Sequence, residues 1–374
     1  MAEQVQKLYS LSGVWQVRAD DGILHSIRIP GTLEENSIGH PDTGTSDPHK
    51  TKSGSFPKSD TDRFLLNENL LSEDEPAGPQ PEPVWTRFTR RHVYEGTVRI
   101  SRMLEFKEKR GRRYFFEVER ARFLQLLIDE EEIPPLCPPT ISAPQVFEVT
   151  GKIDGSHMMT IVSDNHYAKW PGEEIMNSNA ASDDTATNWN GLLGYVRIRE
   201  ELPAFPERLS VRYSGGEIFV KIWVRSLDQT VRRIILSSGA FRNRFEGEYP
   251  LESGVNDIEI GPLSPAEKFV PWDVADPKLY EVTALLVDPE APLTRVSELR
   301  IRTGFRTISA EGADLLLNGR KLYLRGEENR SVHPETLYPP MERMAWKRLF
   351  MTYRSYGINY FYFRTHVPPE EAFE

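Results

Sequence analysis

Apolar positions in the first half of the chain recur with a period of two, the spacing of strands. Short runs rich in β-branched and aromatic residues lie between turn signals: "ILHSIRIPG", "TVRISRMLEF", "RRYFFEVER", "FLQLLIDEEEI", "QVFEVTG", "HMMTIVSDN" and "GYVRIRE". In "YFFEVER", Tyr114, Phe116 and Val118 alternate with Phe115, Glu117 and Glu119, giving one apolar and one partly charged face. The pattern predicts an all-β sandwich over residues 1–202. The acidic run from Asp129 to Glu132 sits between apolar segments and predicts a solvated hairpin turn. Residues 42–83 are rich in Pro, Ser, Asp and Gly and have little periodicity. A loop of that length inside a compact domain is usually functional or disordered.

A second β region is predicted over 203–308. "RLSVRYSGGEIFVKIWVRS" reads as two strands joined at Ser214, Gly215 and Gly216. "GVNDIEIG", "LYEVTALLVD" and "SELRIRTGFRTI" add strands at the spacing of an immunoglobulin-like sandwich. The pattern changes over 309–374. "KLYLRGEEN" predicts a strand, and Trp346, Leu349, Phe350 and Tyr353 then recur at helical spacing up to a stop at Gly357. "NYFYF" follows as a strand that is apolar on both faces, the mark of burial from both sides. Strand, helix and strand make a βαβ unit and require a parallel sheet.

Composition narrows the chemistry. The net charge of −10 over 374 residues repels phosphate backbones, and no run rich in Lys and Arg breaks the pattern, which argues against nucleic acid. The single cysteine, Cys137, excludes an internal disulfide and a cysteine-based metal cluster. It reads as a small apolar residue beside Pro135 and Pro138 rather than a reactive thiol. "MAEQVQKLYSLSGVW" lacks an apolar leader core, and no stretch spans a bilayer, so the expected location is cytoplasmic without a membrane partner. A chain with its leader removed would read the same way. The eight histidines form no HExxH pattern, and neither a Gly-x-Ser-x-Gly elbow nor a phosphate loop is present. No cofactor or metal is expected.

Candidate chemistry gathers near the end of the chain. Residues two apart on a strand share a face, so Tyr360, Tyr362, Arg364 and His366 are expected to line one side. Arg364 and His366 then emerge at the strand's C-terminal tip, the end that carries the active site in (β/α)8 barrels. A salt-bridging Arg beside a loop His is the plain alternative. Glu327 and Glu328 are adjacent and so point to opposite faces; one can enter a site, but together they cannot flank one scissile bond. "SDDTATNWNGLLGYV" places Asp183, Asp184 and Asn188 around Trp189, a composition suited to a sugar subsite if the ring is exposed. Its alternative is a solvated loop whose Trp189 plugs the sandwich edge.

These segments, in this order, resemble the N-terminal part of glycoside hydrolase family 2, the β-galactosidases, β-glucuronidases and β-mannosidases. "LSGVWQV" with "IRIPGTLEENSIG" is similar to the opening strand and Pro-Gly-Thr turn, and "YFFEVERARFLQLLIDEEEI" to a jelly-roll strand pair carrying Glu-Arg. "NWNGLLGYVRIRE" resembles the segment closing that domain, and "VPWDVADPKLYEVTALL" a strand of the immunoglobulin-like domain. "TGFRTI" with "LLLNGRKLYLRGEEN" resembles the crossing into the barrel, and "GINYFYFRTHVPPEEAFE" its second strand. The resemblance covers nearly the whole chain. It implies a jelly-roll sugar-binding domain, an immunoglobulin-like sandwich and the first βαβ of a catalytic (β/α)8 barrel. It also implies retaining hydrolysis of a β-linked glycoside by two glutamates on barrel strands 4 and 7.

By that resemblance neither catalytic glutamate has a counterpart up to Glu374, and the chain alone is expected to be inactive. Arg364 and His366 match substrate-contacting residues at the tip of barrel strand 2. Glu328 and His333 fall in "RGEENRSVHP", where the loop after strand 1 contributes, and Asp183, Asp184, Asn188 and Trp189 fall where the jelly roll reaches the barrel mouth. The expected partner is a carbohydrate, with a homo-oligomer left open. The alternative from another class is a non-catalytic carbohydrate-binding or assembly module.

Overall fold

The computed structural model describes residues 7–19, 22–41, 91–138, 140–166, 188–292, 296–331, 333 and 336–374. The aperiodic stretch 42–83 and the pair Asp183 and Asp184 lie outside the described residues.

The period-two segments form the first sandwich. One sheet orders the strands Lys7–Ser10, Val196–Glu201, Arg113–Val118 and Gln145–Glu148. The facing sheet orders Glu131–Ile133, Phe123–Ile128, Gly155–Asp164, Thr97–Phe106, Gly13–Arg18 and Leu24–Ile29. All these pairings are antiparallel. Trp15, Ile100, Phe116, Leu126, Phe147 and Ile198 fill the space between the sheets, and each such burial contributes roughly 1.5–3 kcal/mol. The acidic run is the expected hairpin turn: Asp129 and Glu130 take φ of 49° and 68°, and Ile128 pairs with Glu131.

The charged face of Arg113–Val118 is not a solvent face, because all six residues are buried. The second sandwich is the reason. Its Phe205 packs edge-on to Phe115 at 5.4 Å. Beside them the Glu117 carboxylate accepts from Arg197 at 2.8 Å and Arg199 at 2.6 Å, and Arg199 also donates to Glu201 at 2.7 Å. Buried charges persist when they are paired in this way.

In that second sandwich Ala204–Ser214, Glu217–Ser226 and Gly254–Leu263 form one sheet. Phe245–Leu251, Thr230–Ser238, Tyr280–Val287 and Val296–Thr303 form the other. The expected hairpin closes at Ser214 and Glu217, with Gly215 and Gly216 at φ of 63° and 84°, a turn that glycine enters without strain. Val220, Ile222, Ile234, Leu236, Val282 and Phe305 belong to a core separate from the first.

The βαβ unit follows. Gly326–Asn329 and Tyr360–Phe363 are parallel, with Glu328 beside Tyr362, and helix α1 (Arg343–Ser355) connects them. Trp346 is 1% exposed, donates through Nε1 to the Pro340 carbonyl at 2.7 Å and lies against Phe350 and Phe363. The helix stops as expected: Gly357 takes φ of 79°, and its N–H bonds the Arg354 carbonyl at 2.9 Å. The expectation that "NYFYF" is buried on both sides is corrected. Phe361 packs on Phe350 and Tyr353 under the helix, whereas Tyr360 and Tyr362 are 40% and 51% exposed. A two-stranded sheet has a helix on one face only, and no other described element covers the tyrosines.

Mostly β, with two sandwiches and one βαβ unit, the chain has the architecture its periodicity predicts. No helix among the described residues is long and apolar enough to cross a membrane.

Candidate functional site

The two parallel strands deliver their polar residues to one end. Their register sets Glu328 beside Tyr362 and Glu327 beside Phe361, so the adjacent glutamates diverge as strand geometry requires. Glu327 turns toward the helix, where Tyr353 Oη donates to its Oε1 at 3.3 Å. Glu328 turns to the open face, where Arg364 Nη1 donates to Oε1 at 2.8 Å and Arg330 Nη2 to Oε2 at 3.3 Å. Hydrogen bonds from Arg364 and then Arg330 hold the Glu328 carboxyl below its ordinary range. The Arg364 N–H bonds the Asn329 carbonyl at 3.1 Å, and Asn329 Oδ1 accepts from the Ser331 N–H at 2.9 Å. Together these bonds tie the two strand ends to each other.

His366 departs from the expected arrangement. Regular strand ends at Phe363, and Thr365 takes a φ of 54°, which breaks the alternation. Arg364 stays on the tyrosine face with Glu328, but His366 packs edge-on to Phe363 at 5.6 Å, on the helix side. Its Nδ1 donates to the Arg364 carbonyl at 2.8 Å, so Nε2 keeps its lone pair. His333 lies near it, edge-on to Trp346 at 5.9 Å. Burial, with the charge of His366 second, lowers the His333 pKa to about 4; burial also leads in lowering that of His366. Each histidine presents a buried Nε2 that has no hydrogen-bond partner among the described residues.

The jelly-roll candidates fare differently. Trp189 is 3% exposed, with the Arg122 guanidinium 4.4 Å from the ring centroid. Its ring is packing, not an open platform, which corrects the reading that needed exposure. Asn188 is also buried: its Nδ2 donates to the Asn165 carbonyl at 2.8 Å, and its own carbonyl accepts from Asn165 Nδ2 at 3.0 Å. Asn190, Ser163 and Gly96 extend this amide network, which fastens the segment to the sandwich. Asp183 and Asp184 lie outside the described residues. Cys137 is exposed and in no disulfide, and no group of three or more potential metal ligands gathers among the described residues.

The pattern of the sequence did not reveal what joins the βαβ unit to the first sandwich. A groove of about 930 Å3 runs between them, with Glu35, Tyr195, Tyr338 and Arg348 along it and His333 and Glu371 on its walls. Tyr338 donates to Glu35, a contact across 303 positions that no local motif announces.

No family model matches the chain. Solved structures share its fold throughout. The glycoside hydrolase family 2 β-galacturonidase of Eisenbergiella tayi, bound to galacturonate, superposes with a TM-score of 0.68 at 19% identity, over 100% of this chain and 56% of that one. Bacteroides uniformis β-glucuronidase 2 gives 0.68 at 13% identity, over 98% of this chain and 40% of that one. Among curated proteins, the β-galactosidase large subunit of Latilactobacillus sakei is 29% identical over 129 residues, 34% of this chain and 18% of that protein. The chain thus shares its fold with these solved glycosidase structures and spans about half the length, or less, of the proteins it matches.

Proposed function

We propose that these residues are the sugar-side scaffold and first barrel strands of a retaining β-glycosidase. In this reading a jelly roll ends near 202, an immunoglobulin-like sandwich ends near 308, and the βαβ unit opens the catalytic barrel. One observation carries it: in a chain with a glycosidase fold, the C-terminal ends of two parallel strands bring Arg364, Glu328 and Arg330 together. In barrels that is the end where substrates bind.

Arg364 and Glu328 form a charge-assisted clamp for sugar hydroxyls on the open face, while His333 and His366 pack on the helix side behind it. Two guanidinium groups face one carboxylate here, and that balance favours a glycone bearing a carboxylate over a neutral one. The acid/base and nucleophile glutamates of the reaction are not among the residues gathered at this site. In a retaining reaction they would stand about 5 Å apart, whereas Glu327 and Glu328 diverge.

Calorimetric titration with galacturonate, glucuronate and galactose tests the reading. Saturable uronate binding that weakens about tenfold or more in Arg364→Met is expected, since charged hydrogen bonds contribute about 1.5–3 kcal/mol. Aryl β-glycosides should not turn over on these residues alone. Enzyme-like turnover would refute the assignment of the glutamates, and binding indifferent to Arg364 would refute the site.

A further inference from the structure

We propose that Arg120, contributed by the first sandwich, is a positioning residue for the strand-end pair Arg364 and His366. The inference rests on the site proposed above and assigns it a part from a different domain.

Arg120 lies just beyond the strand Arg113–Val118 and is 4% exposed. Its Nη1 donates to the Ile141 carbonyl at 3.2 Å inside its own sandwich, and to the Val367 carbonyl at 3.1 Å. Val367 directly follows His366, so this one guanidinium spans 247 positions to hold the turn that carries the site. Its Nη2 donates to Glu119 Oε1 at 3.1 Å, and Glu119 is 1% exposed. A planar guanidinium engaged by two carbonyls and a carboxylate is fixed in direction as well as position.

The junction is tightly built. A Cβ at Gly194 would lie 2.6 Å from Glu119 Cβ and 2.8 Å from Met341 Cε, so only glycine lets the sandwich close on these side chains. Past Val367 the chain folds into the short turn Glu370–Ala372, closed by N–H bonds from Ala372 to the Pro369 carbonyl and from Phe373 to that of Glu370. The alternatives for Arg120 are poorer. A buried arginine for stability alone would need only Glu119 and Ile141, and the bond to Val367 is the one that reaches the site.

The same cation stands beside the His366 ring. Burial is the main cause of that ring's lowered pKa, the Arg120 charge adds to it, and the bond to the Arg364 carbonyl opposes it. The other titratable groups around the junction are His333, Glu119, Tyr195, Glu370, Glu371 and Glu374; the Glu119 and Glu371 carboxyls and the Tyr195 phenol are raised, first by burial.

The test follows the imidazole resonances of His366 through a pH titration in the full chain, with Arg120→Gln, Arg120→Lys and Leu124→Ala. Arg120→Gln is expected to move the His366 midpoint upward, and Arg120→Lys, which keeps the charge, to hold it near the parent value. Leu124→Ala, which opens a cavity in the core of the same sandwich, is expected to lower the melting temperature and leave His366 alone. An unmoved midpoint in Arg120→Gln, or an equal shift in Leu124→Ala, overturns the proposal. Should Arg120→Gln not fold, Arg120→Lys still decides through amide exchange at Ala372 and Phe373. Lysine cannot reproduce the planar donor set, so exchange there should quicken, and unchanged exchange counts against the proposal. Galacturonate titration of the same proteins separates the two readings. If His366 responds to Arg120 but no variant, nor the parent, binds the sugar, the positioning stands and the proposed function falls.

Discussion

At the residue scale the sharpest departure from pattern is His366. Strand alternation put it on the face of Tyr362 and Arg364, and the φ of 54° at Thr365 moved it to the face of Phe363. That places it with His333, whose pKa is pushed down to about 4 by burial and by its neighbour. The consequence for stability has a definite sign. Above the ordinary value of 6.5 both the folded and unfolded forms of His333 are neutral, and its contribution is fully present. Between 6.5 and about 4 the unfolded chain binds the proton and the folded one does not. Stability should therefore decrease as the pH is lowered through that window, by at most about 1.4 kcal/mol per unit from this residue. Urea unfolding at a series of pH values should show the slope in the parent and a shallower one in His333→Gln. Equal slopes would mean that the ring is solvated.

Trp189 makes the opposite point at the same scale. Composition made it a plausible sugar platform, and burial under Arg122 makes it part of the packing. No feature of "NWNG" distinguishes these roles, because exposure depends on what the distant Arg122 does.

At the scale of elements, helix α1 was legible almost to its ends, since an amphipathic stripe with Gly357 as a stop is a local signal. Its stability is not local. Trp346 joins the helix to Phe363 on the second strand and to the Pro340 carbonyl before it. Trp346→Ala is expected to cost about 3–5 kcal/mol. The loss should appear as faster amide exchange across Arg343–Ser355 while the two sandwiches keep their protection. Unaltered protection in the helix would show that the tryptophan does not hold it. The strand "NYFYF" was legible as a strand but not in its burial, because cover on a second face comes from elements that the strand's own residues do not specify.

For the whole molecule, the two sandwiches are read from separate runs of strands, yet their cores meet through a polar and aromatic seam. Phe115 and Phe205 touch there, and Glu117 binds Arg197 and Arg199. Phe205→Ala removes the aromatic part and should cost about 3–5 kcal/mol, most of it in the coupling between sandwiches. Differential scanning calorimetry should then resolve the second sandwich as a separate, earlier transition. A single transition at the parent temperature would show that the seam contributes little.

By itself the sequence determined the strands, the hairpin turns, the helix and its stop. Each rests on a period or on a residue such as Gly215 whose backbone freedom is intrinsic. It also determined that Glu327 and Glu328 diverge, because alternation is a property of any strand. Only the tertiary structure decided which face of Arg113–Val118 meets a neighbour, that Trp189 is covered, where His366 turns, and that Arg120 reaches Val367. The turn at His366 rests on a left-handed φ at Thr365 that a non-glycine residue rarely adopts, and the other three share one physical reason. Burial and charge pairing are properties of surfaces brought together across tens or hundreds of positions, and no window of sequence contains both sides.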